Sequence, residues 1–535
     1  MAKSFATAWL SGEREATDLL PDRFRSLAAR AEAVRIAAQK SMHPELLAVV
    51  RRQNARLPAS AQRDANLDAL ARLGTIVVVT GQQVGLFLGP LYTLYKAATA
   101  IAAARQLTAE TGVACVPVFW LQTEDHDFAE IDHCFVPRTG AEPVKIALAP
   151  TEPSRVPVAH RLLGESVLPA LLELETALAG LPHTADLLPL LHAFYTPGAT
   201  VAHAFAQTLA AIFAEQGLVF FDPRDAEVAP FAAPFHQRCL AEAPAIAELL
   251  QVQAQKLRAA GFEPQVHIRP GSPLSFVAPD ALAGPRYRLD PQADADTWTL
   301  VGAPVPATAT TAQVRAWLAE EPLRLTTSAL SRPVLQDLLL PSVGYVGGPG
   351  EMAYFAQLQP LYRHFDLPMP LVIHRDRFAL LDERTRHFLD DRGLTVAMLA
   401  RPRDDLLRQL VALGQGEAPT ARLDAMMAAL DLPELARQMA ALDPNLAKAA
   451  LRTQEMVQDA LAKLLDKYAK ALAQRDQASV DKLDRARLWL MPDGAPQERV
   501  YGIPGLAARF GLQPLVAAVL AACQPFAGSQ QDLTL

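Results

Sequence analysis

The chain has 535 residues, 51% of them hydrophobic and 20% charged, with a formal net charge of -7. That length allows two or three domains with a large core, and that composition excludes a disordered chain. The modest negative charge argues against a protein held on nucleic acid mainly by phosphate contacts. No run approaches the ~20 apolar residues of a membrane span. Four cysteines (Cys115, Cys134, Cys239 and Cys523) lie far apart without CxxC spacing, which argues against a disulfide framework or a thiolate zinc site. Glu13, Arg14 and Glu15 interrupt the first stretch before an apolar h-region forms, so a cytoplasmic protein is expected.

Taken in chain order, residues 20–73 read as amphipathic helices. A strand over 75–80, a glycine-rich turn and a helix from about Leu88 to Leu107 follow, then a second strand over 113–120. A helix between two such strands makes a βαβ unit, the nucleus of a doubly wound α/β sheet. Residues 134–200 read as an insertion of short Leu-rich helices. A helix over Val201–Glu215 leads to a third strand at 217–222, and one helix is predicted from Ala226 to about Ala260. Pro, Gly and alternating polarity over 264–325 predict a small β-rich insertion. Strands at 342–346 and 371–373 complete the sheet.

From 380 to 490 the chain turns helical. Val457, Leu461, Leu464, Tyr468 and Ala471 form an a/d seam, with Asp459–Lys463, Asp466–Lys470 and Asp481–Arg485 as i,i+4 pairs. A second helix at about 421–442 could fold back on it as an antiparallel arm. The resulting organisation is a core in three parts (1–133, 201–263 and 326–379), insertions at 134–200 and 264–325, a coiled-coil arm over 380–490, and a C-terminal helical segment over 491–535 that packs on the core.

Three polar clusters follow predicted strands, where ligands bind in open α/β sheets. In the first, Gly81, Gly85 and Gly89 permit close backbone approach, and Gln82 and Gln83 offer both donors and acceptors. A tight turn with exposed glutamines would look the same. Tyr92 and Lys96, four apart on the next helix, can share a face. The spacing matches neither GxGxxG nor GxxxxGK[ST], so neither standard nucleotide loop is present.

The second cluster sets Glu124, Asp125 and Asp127 beside His126, with His133 further on. Such a density of carboxylates suits a general base, a metal ligand or an amine binder. HExxH is absent, which weakens a zinc assignment. A solvated loop is the alternative. Cys134 adjoins the cluster as a weak nucleophile candidate.

The third comprises Arg332 and Asp337, then Gly347, Gly348 and Gly350 before Glu351. Glu351 at a helix N-terminus is explained by the dipole alone, unless it faces a ligand. Arg332 could hold a carboxylate or phosphate, or pair with Asp337. Arg375 ends the last strand and is a further candidate.

The motifs Thr80-Gly81-Gln82-Gln83, Gly89-Pro90-Leu91-Tyr92 with Lys96, Pro117-Val118-Phe119-Trp120 and Glu124-Asp125-His126-Asp127-Phe128-Ala129-Glu130 resemble the cysteine ligase family of bacillithiol biosynthesis. Arg332-Pro333-Val334-Leu335-Gln336-Asp337, Tyr345-Val346-Gly347-Gly348-Pro349-Gly350-Glu351 and Pro496-Gln497-Glu498-Arg499-Val500-Tyr501 resemble its other signatures. His374 stands where that family's pattern has a proline, which puts the role of Arg375 in question.

The resemblance implies a Rossmann-like core with connecting insertions and a helical coiled-coil arm. It also implies a reaction that joins the carboxyl group of cysteine to the amine of glucosaminyl-malate. Amide formation from a free carboxylate needs activation, for which ATP, with magnesium, is the expected source. Glu124, Asp125, His126 and Asp127 are then the candidate proton acceptors. Gln82, Gln83, Tyr92, Lys96, Arg332, Asp337, Glu351 and Arg375 are the candidate substrate-binding residues, and Gly81, Gly85, Gly347, Gly348 and Gly350 the phosphate-binding ones. The arm is expected to make a homodimer. Rival readings are a metal-dependent nucleotide or sugar hydrolase and a non-catalytic ligand sensor.

Overall fold

A computed structural model describes residues 4–138, 140–150, 154–293, 296–412, 422, 425–426, 432–528 and 530–535. It divides into two units. The first comprises 1–136, 144–378 and 498–531, the second 137–143, 379–497 and 532–535.

The first unit is built on five parallel strands: β1 (Ile76–Gln83), β2 (Cys115–Gln122), β3 (Val219–Phe221), β4 (Ser342–Gly347) and β5 (Leu371–His374). Val77, Val78 and Val79 are wholly buried, as befits a strand covered on both faces. The spatial order is β5-β4-β1-β2-β3. The winding therefore reverses between β1 and β4, and the crevice at their carboxyl ends is the expected ligand position.

Helix α1 (Tyr92–Thr111) connects β1 to β2, and Ala97, Ala98, Ala100, Ala103 and Ala104 are buried along it. It ends at Gly112, whose φ of 73° a side chain would resist. Trp120 stacks on Phe221 with ring centroids 4.6 Å apart, tying β2 to β3.

The β-rich insertion is a five-stranded antiparallel sheet built from Ser275–Val277, Tyr287–Pro291, Thr297–Val301, Thr308–Thr310 and Leu325–Thr327, with a helix at Thr311–Glu320. Leu512–Ala522 packs on α1, as expected for the C-terminal segment.

Several boundaries differ from the sequence reading. β1 runs through Gly81, Gln82 and Gln83, because its pairing with β2 continues to Gln83 opposite Gln122. The region after 133 begins with a hairpin, His133–Arg138 with Ala141–Ala147, ahead of the Leu-rich helices. The predicted helix 226–260 is two helices, Ala229–Ala241 and Ala243–Ala259, and Pro244 opens the second.

In the second unit, Leu381, Phe388, Leu399, Leu406, Leu407, Leu483 and Leu490 form a separate core. Helices Arg403–Ala412 and Leu432–Ala440 both pack against the long helix Pro444–Arg475. The short link between Ala440 and Pro444 makes Leu432–Ala440 an antiparallel neighbour. Of the predicted helix 421–442, residues 421, 423–424 and 427–431 lie outside the described residues. So do the side chains of Asp466, Tyr468 and Lys470. Arg485 Nε donates to the Asp481 carbonyl rather than to its carboxylate.

Among the described residues no single helix is long and apolar enough to cross a membrane.

Candidate active site

A cavity of about 790 Å³ opens at the carboxyl ends of β1, β2 and β4. Its floor is set by backbone register. Gln82 and Gln83 end β1, Glu124 and Asp125 follow β2, and Gly348, Gly350 and Glu351 follow β4.

Lys96 reaches into the crevice from α1. Its ammonium donates to Gly81 O at 2.9 Å and Gln82 Oε1 at 2.7 Å, and pairs with Glu351 Oε2 at 2.8 Å. All three protons are thus engaged. Burial lowers its pKa, against the opposing charge of Glu351. Glu351 opens helix α4 (Pro349–His364) and also accepts from Gly348 N at 2.6 Å and Tyr345 OH at 2.5 Å. Burial pushes its carboxyl up, yet Lys96 and these donors hold it below the usual carboxylate value. The amide of Gly350, in the first turn of that helix, donates to no partner among the described residues.

Arg332, on helix α3 (Arg332–Leu339), lines the cavity and is buried. Its guanidinium donates to Gln336 Oε1 at 2.9 Å, Tyr354 OH at 2.9 Å and Tyr345 OH at 3.2 Å. No described carboxylate lies within ion-pair distance of it, and the pairing with Asp337 does not form. Asp337 instead bonds Tyr362 and Gln336 beneath the site and does not line the cavity, which corrects its reading as a substrate contact. Arg375 does line the cavity, and it is held by both oxygens of Glu498 at 2.7 Å. Burial opposes its charge, and Glu498 raises its pKa in return.

The acidic cluster proves to be a structural knot. Arg286, from the insertion, donates to Asp125 Oδ1 at 2.6 Å, His126 Nδ1 at 2.8 Å and Thr326 Oγ1 at 3.0 Å. Gln83 donates to the other oxygen of Asp125 at 2.7 Å. Burial raises the Asp125 pKa, but Arg286, the His126 amide and Gln83 together outweigh it and the net shift is downward. The His126 pKa falls to about 4 through burial and then the neighbouring Arg286, so its ring is neutral at pH 7. Glu124 accepts from the Thr327 backbone at 3.3 Å and from the Thr327 hydroxyl.

His126 and Asp127 are not among the residues lining the cavity, nor are Gly81, Gly85 and Gly347. Gly81 is needed because a Cβ there would lie 2.8 Å from Trp120 O, and one on Gly85 would lie 3.0 Å from Gly89 Cα. The turn they form is covered by the C-terminal segment, with Leu91 N bonded to Tyr501 O at 2.9 Å. Cys134 is buried, its thiol pushed up to about 12 by burial, and it does not line the cavity, which removes it as a nucleophile there.

Arg286 lines the site without having been named as a candidate, and Glu130 and Arg499, which line it, and Glu498, which braces Arg375, stood in the quoted motifs with no role assigned. The alternation Arg286-Tyr287-Arg288-Leu289 signalled a strand, though nothing in it marked Arg286 as the partner of Asp125. Among the described residues no group of three or more His, Cys, Asp or Glu is placed to hold a metal ion.

Two family models match this chain. One, described as the N-terminal Rossmann-like domain of BshC of bacillithiol biosynthesis, covers residues 1–376, and the other, its C-terminal coiled-coil domain, covers 378–535. Among curated relatives, a protein of Solibacter usitatus named "Putative cysteine ligase BshC" is 32% identical over 91% of this chain and 88% of its own length. Proteins of the same name are 33% identical in Koribacter versatilis, over 86% of this chain and 84% of theirs, and 30% identical in Geobacillus thermodenitrificans, over 85% and 84%.

Proposed function

The chain belongs to the BshC family of bacillithiol biosynthesis, a family of ligases, and from that premise we propose that the cavity joins the carboxyl group of cysteine to the amine of glucosaminyl-malate. ATP, with magnesium, activates the cysteine carboxylate in this reading, and the reaction takes place in the cytoplasm.

The observation that carries the proposal is Arg332. This buried guanidinium lines the cavity, makes three of its five possible N–H bonds, all to neutral oxygens, and has no described carboxylate in direct contact, its charge being supported by Glu351 through Tyr345. An anionic substrate group, such as a malate carboxylate or a phosphate, fits the N–H groups left over. The unbonded amide of Gly350 belongs to a residue lining the same cavity and favours an anion at the start of α4. Lys96 donates all its protons within the protein and the Arg375 charge is paired by Glu498, so their task is positioning. Lys96 fixes the Gln82 amide and the Glu351 carboxylate, and Arg375 fixes the wall behind Gly348. Gln83 and Arg286 hold Asp125 in one orientation beside the substrate.

A second copy of the chain is the proposed partner of the coiled-coil arm. Leu451, Met456 and Leu464 on its long helix are 47%, 63% and 52% exposed, which supports burial against another surface.

The test is to incubate the purified protein with cysteine, glucosaminyl-malate, ATP and magnesium and to follow bacillithiol by mass spectrometry. The wild type forms product, and Arg332→Gln forms it about 10–100-fold more slowly, the loss expected for a charge-assisted contact. Absence of product from the wild type, or an unchanged rate in the variant, contradicts the proposal.

A further inference from the structure

Five carboxylates line the cavity: Glu124, Asp125, Glu130, Asp290 and Glu351. Four are already occupied. Glu124 is held by Thr327, Asp125 by Arg286 and Gln83, Asp290 by Arg269 and Arg288, and Glu351 by Lys96, Tyr345 and the Gly348 amide. A carboxylate in such a pair has its lone pairs engaged and its affinity for a proton reduced, the opposite of what a base requires. Among the described residues Glu130 accepts no hydrogen bond and forms no ion pair. It sits on the one-turn helix α2 (Phe128–Ile131), eight residues beyond the end of β2, at the solvent-accessible mouth of the cavity.

We propose that Glu130 is the general base that takes a proton from the ammonium of the acceptor sugar. The inference rests on the ligase reading given above. The nitrogen loses two protons overall. The first passes to Glu130 before attack, because only the neutral amine carries a free pair. The amine then bonds to the activated carbonyl carbon of cysteine, and the leaving group supplied through ATP departs with the electron pair of its bond to that carbon. The second proton leaves the nitrogen after the C–N bond has formed and goes to solvent. Glu130 returns its own proton to solvent at the cavity mouth.

The groups around Glu130 suit this task. Asp125 and Asp127 from the loop after β2 and Glu351 from α4 are like charges, while Lys96 from α1 is the opposing one, with Tyr92 beside it. Partial desolvation by the cavity walls, then these carboxylates, raise the Glu130 pKa above the usual carboxylate value although the residue remains open to solvent. That shift brings it closer to the working pH, where a base is most effective.

The experiment is the pH dependence of kcat for bacillithiol formation in the wild type, Glu130→Gln and Asp125→Asn. Glu130→Gln is expected to lower kcat about 100-fold, within the range of general base catalysis, and to abolish the acidic limb of the profile. Its KM for glucosaminyl-malate and its melting temperature should stay near wild type, since no internal bond is lost. Asp125→Asn keeps the acidic limb, because that carboxylate is a positioning group. An active wild type with an unchanged kcat, or an unchanged acidic limb in Glu130→Gln, overturns the assignment of Glu130 and leaves the ligase reading standing. A wild type that makes no bacillithiol overturns the ligase reading, and the assignment falls with it.

Discussion

The molecule contains two strand–turn–helix units that look alike in sequence and differ in use. In one, β1 leads through Gly81, Gly85 and Gly89 to α1, and in the other β4 leads through Gly347, Gly348 and Gly350 to α4. The first turn is closed by protein: Pro90 pairs with Gly502, and Leu91 N bonds to Tyr501 O. The second opens onto the cavity, with the Gly350 amide unbonded and nothing within 4 Å of a Cβ added at Gly350. Glycine at a strand end thus serves either close packing or ligand approach. What decides is whether another segment covers the turn. Here residues 498–502 cover the first turn and, through Glu498, brace Arg375 beside the second.

That bracing gives the largest expected effect. Glu498→Ala leaves the buried Arg375 without its bidentate partner and should cost about 3–5 kcal/mol, read by urea unfolding. A loss below about 1 kcal/mol would mean that the pair is dispensable.

Next comes the cover of the first turn. A Cβ on Gly502 would lie 2.1 Å from Cys134 Sγ and 3.4 Å from Gly89 O. Gly502→Ala should destabilise by about 1–3 kcal/mol through overpacking, and Cys134→Ala in the same chain should recover part of it. Equal melting temperatures for the single and double variants would show that the thiol is not the obstacle.

Acidification probes the knot between Asp125, His126 and Arg286. The folded His126 pKa of about 4 lies below its ordinary 6.5, so between these values the unfolded chain binds a proton that the folded one does not. Stability therefore rises with pH across that window and falls as pH drops below about 6.5. At pH 5 the contribution lost is on the order of 1–2 kcal/mol. His126→Asn should show a correspondingly smaller difference between unfolding at pH 7 and at pH 5, and an identical pH dependence in the two proteins would contradict this.

The smallest effect on stability is also the one that sharpens the comparison most. Gly350→Ala meets no neighbour, so its melting temperature should stay within a few degrees of wild type or rise slightly. Its KM should rise about tenfold, because the added methyl group stands where a ligand approaches the helix start. An unchanged KM would remove the second turn from the site.

Much of this was legible in the chain. β-branched runs such as Ile76-Val77-Val78-Val79 announced the buried strands, and the polar residues after them announced the crevice. Tyr92 and Lys96 share the cavity because four residues make one helical turn. What could not be read was partnership at a distance. Nothing near Asp125 shows that Arg286 will neutralise it, and nothing near Gly85 shows that Tyr501 and Gly502 will cover the turn. The density of charge at 124–127 signalled importance correctly but left open whether those groups face substrate or one another. Pairing separates the two uses, since Asp125 is held by Arg286 while the nearby Glu130 is left unpaired among the described residues, and pairing is a property of the fold.

The most direct test of the contrast between the turns is amide hydrogen exchange, read by mass spectrometry on the full chain with and without glucosaminyl-malate. The expected result is slower exchange in a peptide covering Gly350–Phe355 and no change in one covering Gly85–Tyr92. Protection of Gly85–Tyr92 with Gly350–Phe355 unaffected would place the ligand at the wrong turn and contradict the account.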